Sequence, residues 1–368
     1  MPEYWFKYGV TEIFMEISEE IAQRKIRPDI IGPPMDIEGR VADFLDELSA
    51  DRGLNSIQVL YDHCGETSLK LLKALVERFL RLKPDGGIIL MASSWRLDPE
   101  AGRKHLSDCL RRLELNLTPK AFLKKGDSPR IEELVDESIP LIVATSAEPH
   151  GVFGEFCLRE ATALSNLKIG GRGRLSEIVD EVWGDLLTKY DVYGLCVVGD
   201  EVLGGSAAEV DLKARSLIEE KFGVEADDAD MIIAGAGGYP RDSTLESSIH
   251  LLDLLADFVV DGGLVGLVAE CRGGLGSKEF VEALVGGSGS GYEGELVERV
   301  KEVLENRRVA LTSTLPRAIL ENLLGVRGFD TPQDLLTYGL RIYSRGAKIL
   351  IAEDGLVKRV KMGASGRS

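Results

Sequence analysis

The chain has 368 residues, 44% of them hydrophobic, and a formal net charge of −17. That length suits two α/β domains with sizeable cores. No apolar run approaches the roughly 20 residues needed to span a membrane, and the acidic balance argues against nucleic acid or an anionic membrane as partner.

In chain order, Lys7-Tyr8-Gly9 followed by residues 11–17 reads as an opening strand. Residues 28–34 read as a loop and residues 37–48 as an amphipathic helix. Residues 56–61 form a short apolar run typical of a buried strand, ending at Asp62. A helix over residues 69–82, the turn Pro84-Asp85-Gly86-Gly87 and a strand over residues 88–92 come next, ending at Ser93-Ser94-Trp95-Arg96. Asp98-Pro99-Glu100 opens a helix, with Pro99 at its first position. Residues 139–145 form the next strand, leading into Pro149-His150-Gly151-Val152-Phe153-Gly154. Histidine is the natural side chain to exchange a proton near neutral pH, and a lone strand-end histidine is otherwise a capping or surface residue. A helix over residues 176–187, a hairpin over residues 192–203 with a Gly199-Asp200 turn, and a helix over residues 207–222 complete the first part. A domain change is expected near Gly204.

The second part centres on residues 228–276. Met231-Ile232-Ile233-Ala234 is a buried strand stopped by Gly235-Ala236-Gly237-Gly238-Tyr239-Pro240, where glycine allows positive φ and close approach of a ligand. Asp242 or Ser243 is expected to cap a helix, Ser243-x-x-Glu246 having capping-box spacing. Leu245, Ile249, Leu252, Leu255 and Ala256 share one helical face. Asp261-Gly262-Gly263 ends that helix, and residues 264–269 form a strand leading into Glu270-Cys271-Arg272-Gly273-Gly274-Leu275-Gly276. A strand–helix–strand unit implies parallel strands, with both glycine turns beyond their carboxyl ends, where α/β sheets bind ligands. Arg241, Asp242, Glu270 and Arg272 are expected to gather there, the helix N-terminus offering N–H groups to an anion. Helices over 277–285, 293–306, 317–324 and 331–343 and strands over 309–313 and 348–351 follow.

The ordered pattern Ala236-Gly237-Gly238-Tyr239-Pro240-Arg241-Asp242, Asp261-Gly262-Gly263, Ala269-Glu270-Cys271 and Gly274-Leu275-Gly276 resembles the nickel-dependent lactate racemase (LarA-like) family. The resemblance extends weakly over nearly the whole chain. It implies an α/β fold of two Rossmann-like, doubly wound domains with an interdomain cleft. The expected domains are residues 1–204 and 205–344, with a tail of about 345–368 that returns to the first or stays with the second. It further implies 2-hydroxy acid substrates, racemase or epimerase (isomerase) chemistry, and a nickel-pincer pyridinium nucleotide tethered to a lysine. Asp62 fits the family's first strand-end aspartate, and Arg96 is retained. His150 in its Pro-His-x-x-x-Gly frame resembles the family's second catalytic histidine. Trp95 stands where the family has its other histidine, Glu160 where it has the tethering lysine, and Gly170-Gly171-Arg172-Gly173-Arg174 where it has a metal-binding histidine. Glu246, Ser247 and His250 occupy the helix on which the family carries tyrosine, glutamine and lysine.

The site residues expected on these grounds are His150 as the proton-transfer group, with Asp62, Trp95, Arg96, Gly237, Gly238, Tyr239, Arg241, Asp242, His250 and Arg272 around a small-molecule carboxylate. Bidentate arginine is the natural grip for such a group on an otherwise acidic protein. The alternative is a non-catalytic small-anion-binding or regulatory relative that keeps the fold. A dinucleotide phosphate turn at residues 235–238 is weaker, since Pro240 and Arg241 sit where that fingerprint wants its third glycine. The five cysteines, Cys64, Cys109, Cys157, Cys196 and Cys271, lack paired spacing, and residues 1–8 lack a signal-peptide core, so a reducing cytoplasm is expected. Abundant Glu, Lys and Arg with scarce Asn and Gln is the composition of a thermophile.

Overall fold

The computed structural model describes residues 1–28, 36–52, 54–62, 66–93, 99–115, 117, 119–123, 131–164, 174–286, 289 and 291–360. The chain is mixed α/β and divides into two compact units. One comprises Met1–Asp29, Pro149–Gly154 and Phe222–Ser368, the other Ile30–Glu148 and Glu155–Lys221.

The first unit is built on a six-stranded sheet in the order Arg327–Phe329, Arg308–Thr312, Val259–Val268, Ala229–Gly235, Ile349–Ala352 and Gln23–Lys25, every adjacent pair parallel. The central strands are near-continuous apolar runs because helices cover both faces of such a sheet, and Met231, Ile232, Ile233 and Ala234 are fully buried. The strand Val259–Val268 takes in Asp261-Gly262-Gly263, which lies inside it as an irregularity: pairing jumps from Ala229↔Val259 to Met231↔Leu264. Gly262 there has φ of 74°, a value glycine adopts without a Cβ penalty.

The opening segment is a hairpin, not one strand. Glu3–Tyr8 pairs antiparallel with Thr11–Glu16 around Gly9-Val10. Its inner face places Tyr4, Phe6 and Met15 in the core of the first unit, with Met231, Ile233, Leu335 and Ile351. Gln333 ties its end by accepting from Glu16 N at 2.9 Å and donating to Glu16 O at 3.2 Å. The N-terminal residues therefore belong with the second half of the chain, which sequence order alone disguises. The last strand, Ile349–Ala352, stays in this sheet, pairing with Ala229–Gly235 and Gln23–Lys25.

The second unit carries a sheet with the strand path Glu201–Ser206, Val192–Val198, Leu141–His150, Ser56–Asp62, Gly87–Ser93, Ala121–Leu123. The hairpin at its edge is antiparallel and the remaining pairs along the path are parallel. Its core joins Phe44, Leu45, Tyr61, Leu72, Val76 and Phe79. Gln58, fully buried within the strand, donates from Nε2 to Asp136 O and Ile139 O and accepts from Asp136 N, all at 2.8 Å, satisfying the loop before the next strand. The later crossing between units falls at Phe222, not near Gly204, because Ala207–Phe222 packs with the strands before it. Ala207, Val210, Ala214 and Ile218, on one helical face, are buried.

Candidate functional site

In the first unit, parallel strands Ala229–Gly235 and Val259–Val268 deliver two glycine-rich turns to the same end of the sheet. The turns are stitched together by backbone. Cys271 N donates to Asp242 O at 2.7 Å, Gly273 N to Ser243 O at 2.7 Å, Leu245 N to Gly274 O at 3.0 Å and Glu246 N to Leu275 O at 2.9 Å. Glu246 Oε2 accepts from Ser277 N at 2.6 Å.

Asp242 is the pin of this arrangement. Fully buried, it accepts at Oδ2 from Gly9 N at 2.6 Å and Glu270 N at 3.2 Å. Gly9 O in return accepts from Tyr239 N at 2.8 Å. The hairpin tip is thereby locked onto both turns. Gly9 has φ of 58°, and a Cβ there would fall inside the Glu270 carboxylate. Gly237 and Gly238 have φ of 87° and 74°; a Cβ on Gly238 would press on Lys7 Cβ and Gly9 O. Burial raises the Asp242 carboxyl above the ordinary range, the two N–H donors pull it back, and the Glu270 charge raises it further. Burial likewise pushes the Cys271 thiol up to about 12, against a hydrogen bond from Ser248, with Asp242 and Glu270 adding to the rise. Tyr8 is raised by burial and by the neighbouring Cys271, Glu270 and Asp242.

The helix after the first turn starts later than the sequence suggests. Thr244, rather than Asp242 or Ser243, is the N-cap: its Oγ1 accepts from Ser247 N at 3.1 Å, and Ser247 Oγ accepts from Thr244 N at 3.0 Å. Ser247, not Glu246, closes this capping box. Leu245 N and Glu246 N donate to Gly274 O and Leu275 O, so the helix N-terminus is satisfied by the neighbouring turn rather than presented to an anion. The expected continuous helix is two segments, Leu245–Ile249 and Leu251–Ala256, with His250 between them. Leu245, Ile249, Leu252 and Leu255 still form the expected buried face.

At that break His250 meets His150, the last residue of Leu141–His150. Their rings stack with centroids 4.0 Å apart and planes 2° from parallel, His150 being 0% and His250 3% exposed. Phe153 and Tyr292 stand at 5.0 Å and 6.0 Å from the His150 ring centroid. Consecutive amides fix the rings: Val152 N donates to His150 Nδ1 at 3.1 Å and Gly151 N to His250 Nδ1 at 3.5 Å. A nitrogen that accepts an N–H carries no proton, so both neutral rings hold theirs on Nε2. Gly151 is required by close approach, since a Cβ there would fall inside the His250 carbonyl oxygen and press on Asp253 Cβ.

The structure thus joins His150 to His250, and Gly238 and Tyr239 to Asp242 through Gly9. One five-residue helix separates Asp242 and His250. Arg241 faces Asp354, with Nη1 to Oδ2 at 3.6 Å, and Arg272 is exposed on the second turn. Asp62 ends its strand in the second unit, accepting from Thr145 Oγ1 at 3.2 Å. Trp95, Arg96 and the segment 170–173 lie outside the described residues. Gly9, Phe153 and Tyr292 were not singled out from the sequence. The turn residue Gly9 was visible there, but its partner 233 residues away was not.

In the second unit the helix Leu158–Leu164 begins with Glu160 Oε2 accepting from Cys157 N at 3.0 Å and Asp211 Oδ1 accepting from Arg159 N at 3.1 Å. Arg215 pairs with Glu160 and, through Nε at 2.9 Å, with Asp211; Arg159 Nη1 reaches Asp180 at 2.5 Å and Arg159 Nε reaches Glu160 Oε1 at 3.3 Å. Cys157, Glu160 and Asp211 converge closely enough for a metal ion, but both carboxylates are already engaged by arginine, Glu160 by Arg215 and Arg159 and Asp211 by Arg215. Burial raises the Glu160 carboxyl, with Arg215 opposing.

Among the described residues no helix is long and apolar enough to cross a membrane. No protein-family model matches the chain, and no curated protein sequence does. Among solved structures it is similar to the lactate racemase apoprotein from Thermoanaerobacterium thermosaccharolyticum, with a TM-score of 0.72 and 15% sequence identity over 98% of this chain and 100% of that one. The chain has the α/β fold of that lactate racemase.

Proposed function

We propose that this chain carries out racemase- or epimerase-type proton exchange on a small 2-hydroxy acid other than lactate, with His150 as the proton-transfer group. The observation that carries the reading is the His150–His250 stack, set by the Val152 and Gly151 amides. The fold shared with a lactate racemase supports the substrate class. Exchange in this reading runs through Nε2 of His150, the nitrogen that holds the proton in the neutral ring. Rings 4.0 Å apart are in van der Waals contact and leave no space for a substrate between them, so the pair works from one side of it. Arg241 and Arg272 supply positive charge for the carboxylate on a protein of net charge −17.

The nickel-pincer nucleotide implied by the resemblance does not fit at the tether position. A lysine amine would have to stand where the Glu160 carboxylate accepts a backbone N–H and pairs with two arginines. That misfit favours a second reading, a relative that binds small carboxylates without turning them over.

Incubation in heavy water with a panel of 2-hydroxy acids and sugar acids separates the two. Deuterium is expected at Cα of at least one acid, and His150→Gln is expected to slow its entry by about 10²–10⁴-fold. Exchange unaffected by that substitution would reject His150 as the group. Binding without exchange would establish the second reading, and neither binding nor exchange would reject both.

A further inference from the structure

The geometry points to a buried ion-pair lock, Glu160–Arg215–Asp211, in the place of a cofactor tether, and we infer that the chain carries no covalently bound nucleotide on this helix. Two sets of contacts and their consequence argue for it. First, Glu160 is the third residue of Leu158–Leu164 and its Oε2 caps the Cys157 amide, a task for an acceptor that no ammonium group can perform. Second, Arg215 lies four residues after Asp211 on Ala207–Phe222, so one helical face presents guanidinium and carboxylate together to the helix that Glu160 begins. Asp211 Oδ1 also caps the Arg159 amide, tying the two helices at a second point. Third, a cation in place of Glu160 would stand against both Arg215 and Arg159 at a nearly fully buried position, trading two ion pairs for two like-charge contacts, which a buried site tolerates poorly. An acidic residue in the first turn suits the helix dipole, whereas a lysine opposes it.

The inference goes beyond the hydroxy-acid reading and stands or falls without it, since its readouts need no substrate. The intact mass of the chain isolated from the cells that make it is expected to equal the sequence mass, with nickel well below one equivalent. A heavier chain whose added group maps to a lysine peptide between residues 158 and 221 would overturn the inference. The second arm measures melting of Glu160→Lys, Glu160→Gln and Arg215→Met. Glu160→Lys is expected to lower Tm by about 10 °C, and Glu160→Gln by less because its amide oxygen still accepts from Cys157 N. The double variant Glu160→Gln/Arg215→Met is expected to lose less than the sum of the single changes. A Glu160→Lys protein as stable as the parent would contradict the lock. Adduct-free mass, a destabilised Glu160→Lys and non-additive losses together would establish it.

Discussion

Gly151→Ala is expected to lower the stability of the first unit by about 3 kcal/mol, a fall in Tm of roughly 6–12 °C. The reason is local. The added methyl would occupy the space of the His250 carbonyl oxygen, and that oxygen belongs to backbone between two helical segments, not to a side chain that can swing away. Overfilling a packed site normally costs about 1–3 kcal/mol, and the upper end applies when backbone must yield. The same shift moves Gly151 N away from His250 Nδ1 and separates the stacked rings. Gly154→Ala is the control: its Cβ meets nothing within 4 Å, so only its φ of 75° penalises the change, by about 1 kcal/mol. Thermal and urea unfolding of the two variants measures the difference. Equal losses would show that the approach to His250 is not what Gly151 protects.

Asp242→Ala is expected to cost about 3 kcal/mol, because it strips the acceptor from two N–H groups, Gly9 and Glu270, around a fully buried carboxyl. Asp242→Asn, which keeps an acceptor oxygen, is expected to lose less than half of that. The two variants also differ in pH dependence. Asp242 has a higher pKa folded than unfolded, so the folded chain binds that proton more tightly. Its stabilising contribution is present in full below the unfolded value and is lost as pH rises through the folded one. Urea unfolding followed from pH 3 upward should therefore show a declining component in the parent that is absent in Asp242→Asn. A parent and a variant with parallel pH profiles would reject that assignment.

Much of this architecture was legible in the sequence, for a physical reason. Parallel strands buried on both faces are written as short apolar runs, and helices as 3.6-residue stripes, so residues 56–61, 231–234 and 309–313 and the helices at 69–82, 207–222 and 331–343 fall where the pattern puts them. The glycine turns were legible too, since Gly237 and Gly238 take the positive φ that only glycine adopts freely.

What escaped the reading depends on tertiary partners. Ser243 and Thr244 are equivalent as caps until the turn at 273–275 takes the first amides, which selects Thr244 and Ser247. The hairpin at residues 3–16 buries Tyr4 and Phe6 against strands more than 200 residues later, a pairing no local pattern encodes. His250 is marked in the sequence only by its place on the helix after the glycine turn, which does not mark its stacking partner. That partner is His150, 100 residues earlier, which arrives against the break in that helix. Glu160 shows the converse: sequence registers a departure from the family, and the structure gives its cause in Arg215, 55 residues away.

His150 and His250 form one stacked pair with both Nδ1 atoms turned to backbone amides. Long-range nitrogen–proton correlation spectra of histidine-labelled protein, recorded where both rings are neutral, test this most directly. Both rings are expected in the tautomer protonated at Nε2, with cross-relaxation between their ring protons. A ring protonated at Nδ1, or two rings with no cross-relaxation between them, would contradict it.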